Sequence, residues 1–350
     1  MSVFAVACLT IWGLSTGGNL KATVFQLRSV IWLPLLTVLL SFALRDSQDF
    51  RLLGITITLA AMVKSAVGMY FLASDGWGEA ITPAYMTSHD DSVLYVCVIV
   101  IWIAAYLHEG SWSRLVTALV VVLWMLAAIY VNNRRLAYVN LAGALLVFYP
   151  LLSGRTKRKI KLGLILAFPL FLVYLFLART HSGGIFAPGA TLMGIAKTAD
   201  PSTQWRVLEN QNLIYTIREN RFLGSGFGKE WLEIITLPDI SFSFKEYKLI
   251  AHNSVLWLLG VSGVVGFTLI WMPIVVGVFL ATRSYHFATT NRERTAALAV
   301  VVIAVCYVSQ AWGDIGLLSS LTTLLMALGL ALAGKLARET GAWPSDARII

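Results

Sequence analysis

His252 and Asn253 stand where a long polar stretch gives way to an apolar run beginning at Ser254. An imidazole at such a boundary titrates near neutral pH and can accept a proton from a hydroxyl group. Asparagine is a good residue to begin a helix. The alternative is an interfacial histidine that only caps or snorkels. Gly263 lies ten residues beyond Asn253 and Gly266 three further on. In a helix these glycines fall one turn apart on one face, where small residues let another helix pack closely. Arg134 and Arg135 form a doublet at the start of another apolar run, and Arg206 sits within the polar stretch. A guanidinium stays charged in any surroundings and binds phosphate oxygens in a fork, so these three are candidate anion holders. Otherwise Arg134 and Arg135 snorkel at an interface and Arg206 is a solvated charge. Arg218 and Arg221 read as ordinary surface charges.

Two further ionisable residues fall in or beside apolar runs. Lys64 lies near the middle of one run, and Asp314 lies between the last two. Charges at membrane depth are functional suspects by default, although Lys64 could instead form a salt bridge with an unidentified carboxylate. No paired inward carboxylates and no histidine series support a proton relay. His89, His108, His181, His252 and His286 are scattered over both faces and give no metal constellation. Cys8, Cys97 and Cys306 sit inside apolar runs and read as small buried residues, not as a disulfide or zinc framework.

The elements that must position these residues are membrane helices. Hydrophobic residues make up 58% of the chain and charged ones 13%, where an ordinary globular sequence is about one-quarter charged. Apolar runs against polar breaks give about ten spans: 3–14, 30–44, 52–72, 93–107, 115–131, 136–152, 162–178, 254–280, 296–311 and 315–333. The first lacks a basic leader and a small-residue cleavage site and reads as a retained helix. Pro273 supplies a reason for a kink in the long eighth span. The fold class is an all-α polytopic membrane protein, residues 1–350 forming one integral membrane domain.

The formal charge of +9 does not point to nucleic acid, because the basic residues concentrate in short loops, where they signal topology. The strongest cluster, Arg155, Lys157, Arg158, Lys159 and Lys161, marks the cytoplasmic side. Counting from it puts both termini inside, with Asp75, Glu79, Asp90 and Asp91 outside. The connection 179–251 then faces outward. At about 70 residues it is long enough to carry function. Its start, from His181 through Gly183 and Gly184 to Gly189, reads as flexible. From about Ser202 to Asn220, Trp205, Leu208 and Tyr215 are spaced as in an interfacial helix. Gly224, Gly226 and Gly228 make a turn where backbone can approach something closely. It is not a dinucleotide fingerprint, since no strand precedes it and the spacing is wrong.

Together these segments resemble the O-antigen ligase and polymerase-like glycan transferases. That family's signature is a histidine, an asparagine or similar residue, nine residues, glycine, two residues, and glycine or a small residue. Here it reads His252-Asn253, Ser254 to Ser262, Gly263, two residues, Gly266. Trp205-Arg206 through Asn220 to Gly228 is similar to the family's arginine-bearing helix and glycine-rich turn, and Asn133-Arg134-Arg135-Leu136-Ala137 to its arginine-containing approach to a span. The resemblance covers roughly 132–271. It implies a GT-C-like bundle in the bacterial inner membrane with its active site facing the periplasm. The implied donor is an undecaprenyl diphosphate-linked glycan, and the acceptor a lipid A core, a growing glycan or a protein. It further implies a membrane-lipid setting with no metal, cofactor or nucleic acid. By carry-over, His252 activates the acceptor hydroxyl, Arg135 and Arg206 hold the diphosphate, and Arg134 shares or replaces Arg135. Asn253, Gly263 and Gly266 support the site.

Two other readings compete. Protein O-oligosaccharyl transfer uses the same face and a similar motif. A flippase or transporter of the lipid-linked glycan should show inverted repeats and broken spans in matching halves; no convincing internal repeat is present, and the candidates cluster on one face.

Overall fold

The computed structural model describes residues 1–74, 88–132, 134–152, 154–181, 186–194, 201–242 and 244–343. Among them the regular structure is entirely helical. In chain order the helices are α1 (Ser2–Ser15), α2 (Leu20–Ala43), α3 (Ser47–Ser74), α4 (His89–Glu109), α5 (Trp112–Asn132), α6 (Arg135–Leu151), α7 (Gly154–Ala178), α8 (Ala187–Gly194), α9 (Pro201–Glu219), α10 (Ser254–Phe287), α11 (Asn291–Gly313) and α12 (Ser320–Glu339). Eight of these are long and apolar enough to cross a membrane: α2 to α5, α7 and α10 to α12. The shorter apolar helices α1 and α6 complete the ten spans expected from hydropathy. The chain is thus a multi-pass membrane protein. Asp75 and Glu79, expected on the outer side, lie outside the described residues.

Boundaries moved where caps decide them. α2 starts ten residues before its expected span because the Asn19 side chain accepts from the amides of Lys21 and Ala22. The last span starts later than expected. Residues Gly316–Leu318 form a 3-10 turn, and Ser319 caps α12 through the Thr322 amide.

The chain forms two compact units, Met1–Asp49 with Asp200–Ile350, and Phe50–Ala199. In the second, α4 packs on α5 and α6 and is largely buried, whereas α7 is exposed along nearly all of its apolar length, with Ala178 at its end buried. Polar side chains tie these helices together. The Trp102 indole N–H donates to Thr58 Oγ1 at 3.0 Å, Trp124 to Ser65 Oγ at 2.8 Å, and the Asn132 amide to Ser92 Oγ at 2.9 Å. Lys64 forms an ion pair with Asp91, which also accepts the Ser88 amide at the start of α4. The lysine is therefore half of a structural pair, which explains how a charge sits in the middle of a span. The segment read as flexible is partly ordered: Ala187–Gly194 is helical, and the Gly189 amide donates to the Tyr174 hydroxyl of α7 at 3.0 Å. Ser182, Gly183 and Gly184 lie outside the described residues.

In the first unit α10, α11 and α12 pack on one another, α2 on α12, α1 on α2 and α10, and α9 on α10. Small residues permit the close approaches: Ala297, Val300, Ala304 and Cys306 of α11 are buried, and Gly277 of α10 faces Leu330 of α12.

Candidate active site

The long connection between α7 and α10 is organised by α9 and by the glycine turn that follows it. The apolar residues that suggested an interfacial helix, Trp205, Leu208 and Tyr215, are only half-buried. The fully buried face of α9 is instead Glu209, Asn212, Leu213 and Thr216, mostly polar. The reason is that these side chains satisfy loop backbone, which would otherwise lose its hydrogen bonds on burial. Asn212 Oδ1 accepts the amides of Ile234 and Ile235, and its NH2 donates to the Ile235 carbonyl at 2.8 Å. Thr216 Oγ1 accepts the Leu232 amide at 2.9 Å.

Beyond α9, Gly224, Gly226 and Gly228 all have positive φ, at 71°, 78° and 95°. They do approach something closely, and that something is the chain's own helices. α10 is interrupted at Gly263, whose backbone stands at φ 59°, ψ −178°. Residues 221–226 are inserted into the opened ladder. The amides of Ser225 and Gly226 donate to the carbonyls of Gly260 and Val261, and the amides of Val264 and Val265 donate to the carbonyls of Arg221 and Phe222. Four inter-segment bonds thus replace the intrahelical bonds lost at the break, as a membrane setting demands. The kink expected at Pro273 is therefore found ten residues earlier. The expected helical stacking of Gly263 and Gly266 is likewise corrected, since Gly263 is not helical. Gly266 keeps the packing role: a β-carbon there would lie 3.0 Å from Leu9 Cδ1 of α1.

The segment leading into α10 is held from two sides. Gln26 of α2, fully buried, accepts the Gly228 amide and donates to the carbonyls of Lys229 and Leu249. The Trp257 indole N–H reaches the same Leu249 carbonyl at 2.7 Å. Ile250 and Ala251 are buried, so His252 is presented by a fixed backbone. Asn253 acts as expected of a helix cap, its side chain accepting the Leu256 amide at 3.1 Å.

The His252 side chain is 25% exposed, and its Nδ1 lies 3.2 Å from Glu209 Oε1. The other carboxylate oxygen, Oε2, accepts the His252 backbone amide at 3.0 Å. Among the described residues Nε2 makes no hydrogen bond. Glu209 escaped the sequence reading because a single carboxylate in a polar segment carries no signal. Its only trace is the position three residues after Arg206, one turn along the same helix. Arg206 is half-buried and donates from its guanidinium to the Gly313 carbonyl at 2.9 Å. Asp314, which follows, ends α11, and its carbonyl faces Ser254 Oγ at 3.4 Å. The structure therefore gathers Arg206, Glu209, His252, Asn253 and the end of α11 at one corner of the first unit. Arg134 and Arg135 belong to the second unit, at the head of α6: Arg134 is the half-buried N-cap residue and Arg135 the exposed first helical residue. Arg218 and Arg221 are exposed, as expected of surface charges.

A peripheral ion pair steadies the same segment. Glu233 accepts the Leu237 amide and pairs with Lys248 at 2.9 Å. The Leu237 amide, then the Lys248 ammonium, hold the Glu233 carboxyl below its ordinary value of 4.5, and Glu233 in turn holds Lys248 above 10.5. A depressed carboxyl stabilises the fold above its unfolded value and loses that contribution as pH falls through the folded one. The raised lysine contributes below 10.5 and loses its contribution above it. Glu233→Gln is accordingly expected to lower the unfolding midpoint at neutral pH by an amount worth under about 1 kcal/mol. The gap to the unmodified protein should close as pH falls below the ordinary carboxyl value, which thermal unfolding in detergent across acid pH will measure. A gap that stays constant would mean that the pair is electrostatically idle.

With long apolar helices and a polar corner that holds a histidine and a cation at the head of α10, the fold is that of a polytopic membrane protein. A family model described as O-antigen ligase matches residues 120–271. The match runs from within α5 to within α10 and takes in Arg134, Arg135, Arg206, His252, Asn253, Gly263 and Gly266, so the resemblance read from the histidine-to-glycine spacing is borne out. It supports a membrane glycan function of the ligase or polymerase type. No curated protein matches the chain.

Proposed function

We propose that this protein is a glycosyltransferase that moves a glycan from an undecaprenyl diphosphate carrier to an acceptor hydroxyl at the periplasmic face of a bacterial inner membrane, as an O-antigen ligase or polysaccharide polymerase. The observation that carries this reading is the pairing of His252 with a buried carboxylate one turn from Arg206 on α9. An ionised carboxylate can only accept, so neutral His252 carries its proton on Nδ1 and keeps the Nε2 lone pair for an incoming proton. In the reaction Nε2 takes the acceptor hydroxyl proton while that oxygen bonds to the anomeric carbon of the donor sugar. The bond from that carbon to the diphosphate breaks, and undecaprenyl diphosphate leaves with the electron pair. The imidazolium then returns its proton to solvent or to the departing phosphate. No redox partner is needed. Arg206 is assigned to the charge that develops on the diphosphate. Arg135, with Arg134 beside it, is assigned the same duty by resemblance, and the positive end of α6 adds to their attraction for an anion.

The distribution of Lys and Arg supports a topology with both termini cytoplasmic and 179–251 as the periplasmic loop. The acceptor is decided by a deletion strain. Uncapped lipid A core indicates a ligase, single-repeat products a polymerase, and unmodified glycoprotein with unchanged glycans a protein transferase. A deletion with all surface glycans and glycoproteins unchanged would remove the proposal. Arg206→Ala and Arg135→Ala are each expected to cut use of the diphosphate-linked donor by about 10²-fold, the loss typical of one preorganised charge-stabilising donor. Wild-type transfer rates in membranes carrying either variant would remove that arginine from the diphosphate site.

A further inference from the structure

We infer that Glu209 is a positioning residue for His252, fixing both its ring orientation and its tautomer by a two-point grip on side chain and backbone. The inference rests on the reading of His252 as the base. Three observations carry it. The two oxygens divide the labour, Oε2 accepting the His252 amide at 3.0 Å and Oε1 facing Nδ1 at 3.2 Å. The Glu209 side chain is only 2% exposed, and burying a carboxylate is costly unless its charge has a use. Its neighbour Asn212, on the same buried face, ties three loop backbone groups with a neutral amide. Holding a backbone amide at this place therefore does not require a charge. A charge is required where a ring N–H must be held as a donor and an imidazolium must be stabilised as it forms.

The consequence follows from the donor inventory. In Glu209→Gln one carboxamide oxygen remains. If it keeps the His252 amide, the NH2 group faces Nδ1 and makes it an acceptor, which moves the ring proton to Nε2 and removes the base. The other charged groups brought to this corner are Arg206 on α9 and Asp314 at the end of α11; Lys248 of the preceding segment is engaged with Glu233.

The test uses the full chain in proteoliposomes with a lipid-linked glycan donor, activity being normalised to folded enzyme. Glu209→Gln is expected to lower kcat by up to about 10⁴-fold with KM for the donor little changed, the loss that follows when a tautomer-setting carboxylate becomes an amide. Glu209→Asp, which keeps the charge, should recover at least tenfold over Gln. Asn212→Ala, which loosens the same face, should reduce the amount of folded enzyme while leaving kcat per folded enzyme little changed. A Glu209→Gln enzyme with an unchanged kcat, or one that matches Asn212→Ala in every readout, overturns the positioning role. Nitrogen-15 NMR of histidine-labelled wild-type protein, with His252 assigned by its absence in His252→Gln, gives an answer that needs no Glu209 variant: neutral His252 should carry its proton on Nδ1, and an Nε2–H tautomer overturns the inference. Full activity in His252→Ala would instead defeat the underlying base assignment, so the two failures are distinguishable.

Discussion

His252→Ala is expected to abolish glycan transfer, by about 10³-fold or more, while the protein still inserts and accumulates. The size of the loss follows from the role. A positioned general base is worth about 10² to 10⁴ in rate, and among the described residues gathered at this corner none replaces it: Glu209 is buried behind the ring, Arg206 is a cation, and Asp314 sits where its carbonyl meets Ser254. Normal accumulation follows from the packing. The histidine side chain is partly exposed, its backbone is held by Gln26 and Trp257 through Leu249, and the helix cap belongs to Asn253. The residual cost is a buried Glu209 that loses its ring partner but keeps the backbone amide, worth about 1–3 kcal/mol of stability. Surface glycan in a deletion strain complemented with the variant, read beside membrane levels of the protein, checks both halves. Full-length surface glycan at normal levels would sink the base assignment, whereas loss of the protein from the membrane would show that the residue is structural.

Gly263→Ala is expected to destabilise the protein by about 3 kcal/mol or more, since a strained backbone and an overpacked contact each cost that order. A β-carbon at 263 would lie 2.3 Å from the Phe222 carbonyl oxygen and 2.5 Å from the Gly224 amide nitrogen, at a φ of +59° that side chains rarely adopt. Neither contact can relax without withdrawing residues 221–226 from the α10 ladder, and withdrawal would leave the groups at 260, 261, 264 and 265 unpaired. Gly266→Ala meets only Ser262 Cβ at 2.9 Å and the flexible Leu9 side chain at 3.0 Å, so its cost should be smaller by several-fold. Thermal unfolding of the two variants in the same detergent decides the matter, and equal midpoints would contradict the insertion as the reason for the first glycine. The asymmetry accounts for a signature that demands glycine at the first position and accepts a small residue at the second.

How much of this was legible without coordinates depends on the range of the physics involved. Span positions and the all-helical class followed from local composition, because a hydrocarbon core demands long apolar helices whatever their neighbours are. The histidine-to-glycine spacing likewise marked His252, Asn253, Gly263 and Gly266 before their surroundings were known, and the cap at Asn253 is a local effect that a single residue type can announce. The break in α10 was misplaced for an equally clear reason. Proline is a visible helix breaker, but Pro273 stays within the helix, while Gly263 breaks it only because a turn some forty residues earlier in the chain supplies replacement hydrogen bonds. Lys64 was visible as an anomaly, yet its partner Asp91 lies on another helix. The buried polar face of α9 was hidden because its logic, satisfying backbone groups of a distant loop, leaves no periodic apolar trace. The sequence by itself determined a membrane helix bundle and a histidine at the head of one span. The tertiary structure decided which carboxylate grips that histidine, since pairing Glu209 with His252 is a contact between residues 43 positions apart that no local rule encodes.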